Sequence, residues 1–288
     1  MRFTRGMHSD AVAGVIEALL MVALVAIIIS MIQLVYIPQV MEQKEAEHMD
    51  GVFNQFSQLK SMVDMQAISQ STAPISSMLT LGSPKLPYFL TVQALGKVSF
   101  SNESSSLVKV FPEPVGFPSE GKKLTSLLYE AENAYFVDQD YILEGGGIIV
   151  QQPNGQPVMR ADPSIAAENN TYNITLHIEL PVFIGMEGKT LTEGEGKCFI
   201  RTNYSSNKIY SGDIQGTGFI KIYTKYAIAW NQTLHNILGV YDRNGNISIG
   251  MHSAQPTNYV QIAPGTKYIH LDLNVIYIFV QIGPGWVE

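Results

Sequence analysis

The chain has 288 residues, a hydrophobic content of 46%, a charged content of 15% and a formal net charge of −7 at pH 7. An acidic chain lacks the basic excess that binding to phosphates requires, so the sequence predicts no nucleic-acid partner. Its single cysteine, Cys198, excludes an intramolecular disulfide and therefore a disulfide-stapled secreted fold.

The first element predicted along the chain is a membrane-spanning helix. Ala18 to Ile37 is a run of twenty residues without a charge, long enough as a helix to cross about 30 Å of hydrocarbon. Arg2 and Arg5 precede it, so the positive-inside rule leaves the N-terminus in the cytoplasm and the rest of the chain outside the cell. A cleaved secretory signal would be shorter and would end in a small-residue site, which LVYIPQV does not supply. The sequence therefore predicts that this helix stays on the mature chain.

Helical periodicity continues beyond Pro38, a residue that can kink a helix. Apolar residues recur at spacings of three and four, namely Met49, Val52, Phe53, Phe56, Leu59, Val63 and Ala67. The pattern predicts one helix of roughly sixty residues, with an amphipathic upper half that packs on the following domain. The Ser-, Gly- and Pro-rich segment that starts at about Ser71 predicts a domain boundary, so a chain that begins there is expected to fold in isolation.

The region 71–288 combines short β-type runs with turn signals and predicts a mainly antiparallel β-sandwich-like head. The runs are YFLTVQA, GKVSFSN, SLVKVF, GIIVQQ, TYNITLHIELPVFI, KCFIRTNY, NKIYSG, GFIKIYT, NGNISIGM and YIHLDLNVIYIFVQI. Asn154-Gly155 and Asn244-Gly245 predict hairpin turns between strands.

One short helix is predicted within the head, over the segment TKYAIAWNQTLHNILG. Ala227, Trp230, Leu234 and Leu238 form its apolar face, and Gly239 is expected to stop it. With the long N-terminal helix, this gives a predicted fold class of α+β.

The N-terminal region resembles archaeal type IV pilin-like exported proteins. The segment A-V-A-G-V-I-E-A-L-L-M-V-A from Ala11 is similar to the A-V-S-P-V-I-G-V-I-L-M-V-A of archaeal pilins, with Gly14 in place of proline. The resemblance implies a class III signal peptide, residues 1–11, which a membrane prepilin peptidase removes. The implied cut lies within Asp10 to Ala13, between Ala11 and Val12, and leaves a transmembrane and stalk helix over residues 12–70. Several head segments, such as EGGGIIVQQPNGQPVMRADP, also resemble a family of exported, pilin-like archaeal proteins. This second resemblance implies a location and an architecture but no activity.

Glu17 is the one charged residue in the apolar segment 11–38. A carboxylate in a membrane costs a few kcal/mol at the bilayer centre and less near an edge. Resemblance to the fifth-position glutamate of bacterial pilins implies that it pairs with the α-amine of a neighbouring subunit and sets register during assembly. The alternative is a carboxylate near the membrane face that reaches the interface or is protonated.

Six N-x-S/T sequons are candidate N-glycosylation sites, at Asn102, Asn169, Asn173, Asn203, Asn231 and Asn246. About two sequons are expected by chance for fifteen asparagines, and the excess favours an exported, glycosylated surface. A polar loop composition rich in Asn, Ser and Thr is the alternative.

No segment predicts a catalytic, cofactor-binding or metal site. FIGMEGKT lacks the first glycine and the following helix of a phosphate-binding loop, and the Asp242 to Asn246 segment suits a β-turn better than a calcium loop. No histidine pair or Cys–His pair has zinc-site spacing, and G-x-S-x-G is absent. His177 and His270 are expected on the polar face of strands, His235 at the core edge and Cys198 in the core.

These observations predict a membrane-inserted, type IV pilin-like surface protein without enzyme activity or cofactors. Its expected partners are the membrane, the prepilin peptidase and other pilin subunits, and its head is expected to serve adhesion or surface contacts. The alternative is a permanently anchored, monomeric extracellular binding protein that keeps its leader. An anchored hydrolase has no positive support in the sequence, although paired carboxylates on distant strands leave no local signature.

Overall fold

The structure, a computed structural model, describes residues 6–82, 94–254 and 257–283. Arg2, Arg5 and most of the predicted strand YFLTVQA lie outside these residues. The N-terminal helix comprises α1 (Gly6–Met31), a π-helical turn (Ile32–Tyr36) and α2 (Ile37–Ser69). The prediction of a helix of about sixty residues is confirmed.

The π-helical turn accommodates the proline that follows it. Pro38 has no N–H, and its ring crowds the carbonyl four residues earlier, so a regular helix cannot pass through it unchanged. Within the turn, the Ile37 N–H donates to the Ile32 carbonyl oxygen, five residues back. This hydrogen bond spans one residue more than in a regular α-helix, and the wider turn lets the helix continue past the proline.

The described strands of the head form three sheets. Sheet A has the order β1 (Ile75–Thr80), β12 (Lys197–Ile214), β16 (Tyr268–Ile282), β10 (Asn173–Gly185) and β9 (Ile165–Asn169). Sheet B has the order β11 (Leu191–Gly194), β2 (Leu95–Ser101), β5 (Ser126–Glu132), β6 (Asp140–Glu144), β7 (Gly147–Gln151) and β8 (Val158–Ala161). Sheet C has the order β14 (Ile247–His252), β15 (Tyr259–Pro264), β13 (Phe219–Tyr223), β3 (Leu107–Phe111) and β4 (Lys122–Lys123). The predicted α+β class and mainly antiparallel pairing are confirmed.

Two features of sheet A differ from the sequence prediction. β10 and β16 pair in parallel, from Asn173 opposite Tyr268 to Gly185 opposite Val280. The runs KCFIRTNY and NKIYSG, predicted as two strands, form the single strand β12 with an irregularity between Tyr204 and Ser206. A β-bulge interrupts the alternation of side chains without ending the strand, so the sequence pattern there resembles a strand boundary.

The long strands of sheet A bury opposite faces in two hydrophobic cores. On β16, Leu271, Leu273 and Val275 belong to the first core, with sheet C and the helix α3 (Ala227–Arg243). Ile276 and Ile278 belong to the second core, with sheet B and α2. Because successive side chains of a strand point to opposite faces, the buried face changes between residues 275 and 276. The same strands therefore join both halves of the head.

Two turn predictions have different outcomes. Asn154, at a φ of +63°, lies in the turn between β7 and β8, so the hairpin predicted there is confirmed. Asn244-Gly245 does not join two strands. It forms the turn that ends α3, where Gly245 has a φ of +68° and its N–H donates to the Asp242 carbonyl oxygen. An Asn-Gly pair provides a left-handed residue as readily at a helix end as in a hairpin.

The predicted stop of α3 at Gly239 is wrong, because the helix continues to Arg243. Gly239 is a buried position within the helix, on the side that faces the core. The predicted apolar face of α3 is confirmed, since Ala227, Trp230, Leu234 and Leu238 are all buried.

The upper half of α2 is part of the second core. Its buried side chains in that core are Met49, Val52, Phe56, Leu59 and Val63. Polar contacts add to this packing: Gln66 Nε2 donates to the Thr202 carbonyl oxygen at 2.9 Å, and Tyr141 Oη donates to the Met49 carbonyl oxygen at 3.0 Å. The stalk and the head therefore share one core, although α2 ends at Ser69, close to the predicted boundary.

Candidate functional site

The lower part of the N-terminal helix is an apolar cylinder that contacts no other described part of the chain. Every side chain from Ala13 to Tyr36 is exposed, and Ile37 is the first buried one. These 24 residues measure about 36 Å along the helix axis, enough to cross a bilayer. By length and composition this segment is a candidate membrane span.

Glu17 lies on α1 with its side chain exposed. Twenty residues separate it from Ile37, where the helix enters the head, so the two are about 30 Å apart along the axis. This separation equals the hydrocarbon thickness of a typical bilayer. The backbone of Asp10, Ala11 and Val12 continues the same helix towards the N-terminus.

A buried carboxylate fastens the stalk to the head directly above the apolar segment. Glu45 on α2 is fully buried. Its Oε2 accepts hydrogen bonds from the Tyr135 and Phe136 N–H groups at 2.7 Å, and its Oε1 accepts one from the Ala134 N–H at 3.1 Å. Three backbone donors thus compensate the burial of this side chain.

Sequence reasoning did not single out Glu45, although the sequence carries a signal for it. Glu45 lies four residues from both Met41 and Met49, on the buried stripe of α2. An acid at such a position must have buried partners, since an unpaired carboxylate in a core is very costly. Its partners come from a loop about ninety residues later, which the sequence does not identify.

We expect Glu45→Gln to destabilise the protein by about 3 kcal/mol, because hydrogen bonds to charged groups contribute about 1.5–3 kcal/mol each and the amide turns an N–H₂ towards backbone donors. Thermal unfolding of the purified chain in detergent measures this. Glu42→Gln, on the exposed face of the same helix, is the matched control and is expected to leave the melting temperature unchanged. Equal melting temperatures for the two variants would contradict the assigned role.

A half-buried polar contact lies one turn further along α2. His48 Nε2 lies 3.2 Å from Tyr129 Oη and 3.3 Å from the Leu81 carbonyl oxygen. Tyr129 Oη donates to the same carbonyl oxygen at 2.7 Å. Burial lowers the pKa of His48, so the folded state favours the neutral ring.

A second buried carboxylate, Glu144 at the end of β6, links sheet B to α3 and to the residue that follows β13. Its Oε1 accepts hydrogen bonds from Thr224 Oγ1 at 2.7 Å and from Trp230 Nε1 at 2.9 Å. Burial raises the pKa of Glu144 to about 7. Gly145 and Gly146, with φ angles of +55° and +82°, form the turn after it. A Cβ on Gly145 would lie 2.9 Å from Trp230 Cζ2, so the glycine allows the turn to approach this ring. The glycine-rich segment of the sequence therefore places Glu144 against α3.

A polar cluster lies on the exposed face of sheet A, where β10, β12 and β16 meet. His270 Nδ1 lies 2.6 Å from Asp213 Oδ1, and His270 Nε2 lies 3.3 Å from Ser211 Oγ. These distances resemble a serine nucleophile with its base, but Ser211 Oγ donates to Asp272 Oδ1 at 2.8 Å, so its proton points at a carboxylate. His177 Nδ1 lies 3.3 Å from Asp272 Oδ2. The cluster is a network of histidine, serine and carboxylate contacts, and both histidines lie on the polar face as predicted.

The remaining predictions for individual side chains have mixed outcomes. Cys198 is buried, as predicted, and burial raises the pKa of its thiol. The placement of His235 at the core edge is wrong, because its side chain is exposed beside Asn231 and Asp242. Leu234 and Leu238 lie on the buried face of α3. His235 follows Leu234 and is rotated from it by about 100° around the helix axis, so its side chain points away from the core. Within the described ranges, no group of three or more His, Cys, Asp or Glu side chains is arranged to hold a metal ion.

The six sequon asparagines are spread over the head. Asn102 and Asn169 are exposed, whereas the other four are half-buried. Asn169 Oδ1 accepts a hydrogen bond from Lys267 Nζ at 2.6 Å. Asn203 lines a cavity of about 480 Å³ on the outer face of sheet A, together with Phe279. Glycosylation of these asparagines stays a prediction.

Taken together, these features define a class of architecture: a β-rich head carried by one long helix whose lower part is a candidate membrane span. Comparison of the chain with models of known families, with curated proteins and with solved structures finds no match. The resemblance to pilin-like proteins therefore depends only on sequence patterns, those of the N-terminal region and of the head segments quoted above.

Proposed function

We propose that this chain is a type IV pilin-like cell-surface protein. Its helix anchors it in the cell membrane with the head outside, and removal of the leader by a prepilin peptidase allows the helices of several subunits to pack into a filament core. The head then serves adhesion or other surface contacts. The observation that carries the proposal is the apolar cylinder from Ala13 to Tyr36, exposed around its circumference and continuous with α2.

The geometry of this helix suits exchange between a membrane and a filament. Because the head buries none of the cylinder, lipid can be replaced by neighbouring helices without any change in the head. Glu45 and the second core hold α2 rigidly, so the orientation of the cylinder relative to the head is fixed. A rigid connection of this kind is what a repeating assembly of identical subunits requires.

The proposed partner of Glu17 follows from the same helix geometry. A cut before Val12 frees an α-amine five residues from Glu17. That separation is about 7.5 Å along the axis and the two groups point in different directions, so the amine of the same subunit is out of reach. A neighbouring subunit displaced along the filament axis supplies an amine at the required height. An intramembrane carboxylate needs such a cation.

We expect Glu17→Ala to lower filament yield about tenfold while membrane insertion stays normal, since an intramembrane polar contact contributes about 1–2 kcal/mol and each subunit interface loses one. Immunoblots of the sheared-surface and membrane fractions measure both quantities. Glu42→Ala, on the exposed face of α2 above the apolar cylinder, is the control. An unchanged amount in the sheared fraction for Glu17→Ala would contradict the assembly role.

A further inference from the structure

The outer face of sheet C carries aromatic rings and lysines. Val108, Val110, Ile220 and Ile222 point into the first core, so the residues between them face away from it. The strand register aligns these outward side chains in three rows across the sheet. One row is Lys123, Leu107, Tyr223, Tyr259 and His252, the middle row is Lys109, Lys221, Gln261 and Gly250, and the third includes Phe111 and Phe219.

The rings of the outer rows are held in place by each other and by the lysines between them. Tyr223 and Tyr259 have their centroids 4.9 Å apart, and Phe111 stacks on Phe219 at 5.6 Å. Lys221 Nζ lies 4.1 Å from the Phe219 centroid and 4.7 Å from that of Tyr259. Contacts of this kind orient the rings before any ligand arrives, which lowers the entropic cost of binding.

The charge of this face is opposite to that of the whole chain. None of the described residues in the five strands of sheet C is Asp or Glu, and Lys109, Lys123 and Lys221 lie on its outer face. The complete chain has a net charge of −7. A local positive surface on an acidic protein attracts an anionic ligand to that place and repels it elsewhere.

We propose that the outer face of sheet C binds an anionic polysaccharide. Three parallel rows of side chains that extend across several strands suit an extended polymer, whereas small ligands bind in concave pockets. The backbone positions of the two aromatic rows are four residues, about 13 Å, apart along each strand. Their rings lean towards the lysine row between them, since Lys221 Nζ contacts both Phe219 and Tyr259. Ring faces pack on the C–H faces of sugars, and the lysines pair with carboxylates of the same polymer.

The same chemistry favours a polysaccharide over a nucleic acid. Nucleic-acid binding depends on the number of phosphates that basic residues neutralise, and this face offers three lysines on a chain that is strongly acidic elsewhere.

The choice of polymer also rests on the proposed exterior position of the head. Binding to the purified chain does not require leader removal or assembly, so the two proposals fail independently.

The test is binding of polygalacturonate to the full chain in detergent micelles, by calorimetry, with neutral dextran and oligo(dT) as comparison ligands. We expect binding to polygalacturonate alone, weakening as salt is added, and at least a tenfold loss of affinity in the double variant Lys109→Gln/Lys221→Gln. Lys197→Gln, an exposed lysine on β12 of sheet A, is the matched control, and thermal unfolding checks that both variants fold.

Three results would overturn the proposal. The first is an absence of polygalacturonate binding by the unaltered chain. The second is an equal loss of affinity in Lys197→Gln, which would indicate non-specific attraction. The third is tighter binding to oligo(dT), which would assign the face to single-stranded nucleic acid. A folded Tyr259→Ala variant that keeps full affinity would exclude the stacking role of the rings.

Discussion

A chain that begins at Ser71 is expected to remain unfolded, whereas a chain that begins at Gln39 is expected to fold into a soluble, β-rich head. The first lacks all of α2, including five apolar side chains buried in the second core. Burial of each contributes about 2 kcal/mol, so about 10 kcal/mol is lost, comparable with the whole stability of a typical domain. The second chain loses residues 1–38, which include the apolar cylinder, and of the buried side chains of α2 it loses only Ile37.

Size-exclusion chromatography without detergent and thermal melting followed by circular dichroism compare the two truncated chains. We expect a monomeric peak and a cooperative transition for the chain from Gln39, and aggregation or no transition for the chain from Ser71. A soluble chain from Ser71 that melts cooperatively at a similar temperature would support the boundary predicted from the sequence and show that α2 is dispensable for the head.

The free energy of unfolding is expected to fall as pH rises from about 4.5 to 7 because of Glu144. Burial raises its pKa in the folded state to about 7, while an ordinary glutamate value of 4.5 applies to the unfolded chain. Between these pH values the folded state keeps a proton that the unfolded state has lost. Stability therefore decreases with pH in this window and levels off above it, by on the order of 3 kcal/mol in total.

Glu144→Gln is expected to remove this pH dependence and to be more stable than the unaltered chain at pH 8. Its amide oxygen can accept the same bonds from Thr224 and Trp230 without a charge. Urea unfolding at pH 5 and pH 8 measures the effect as a difference between the two chains. Burial also raises the pKa of Asp140, to about 6. This makes the stability of both the unaltered chain and Glu144→Gln decrease with pH by the same additional amount. Parallel pH profiles for the two chains would contradict the account.

His48 has the opposite effect at lower pH. Because burial lowers its pKa below the ordinary 6.5, the folded state resists protonation of the ring. Its contribution to stability is present above pH 6.5 and is lost as pH falls below that value. The Glu144→Gln comparison is unaffected, since both chains contain His48.

The parts of the fold that the sequence predicts well are those with strong local periodicity. The N-terminal helix is visible because its apolar run and the stripe from Met49 to Val63 continue over many turns. The buried face of α3 and the hairpin at Asn154-Gly155 are local in the same way. Each of these three features depends on residues that are close together in the sequence.

Non-local features were not predictable from one sequence. The parallel pairing of β10 with β16 joins segments about ninety residues apart, and alternation of side chains is the same for either direction. Glu45 and Glu144 were missed for a similar reason, since their partners lie far along the chain. The positive aromatic face of sheet C arises only when five separate strands are aligned in register.

The most direct test of the pilin-like proposal is the N-terminal peptide of the native protein, identified by mass spectrometry in sheared-surface and membrane fractions. The account predicts a new terminus between Ala11 and Ala13, at Val12 for a cut after Ala11, in the sheared fraction. An uncut Met1 terminus confined to the membrane fraction would contradict it. That result would make the chain a permanently anchored monomer, with Glu17 a carboxylate near the membrane interface.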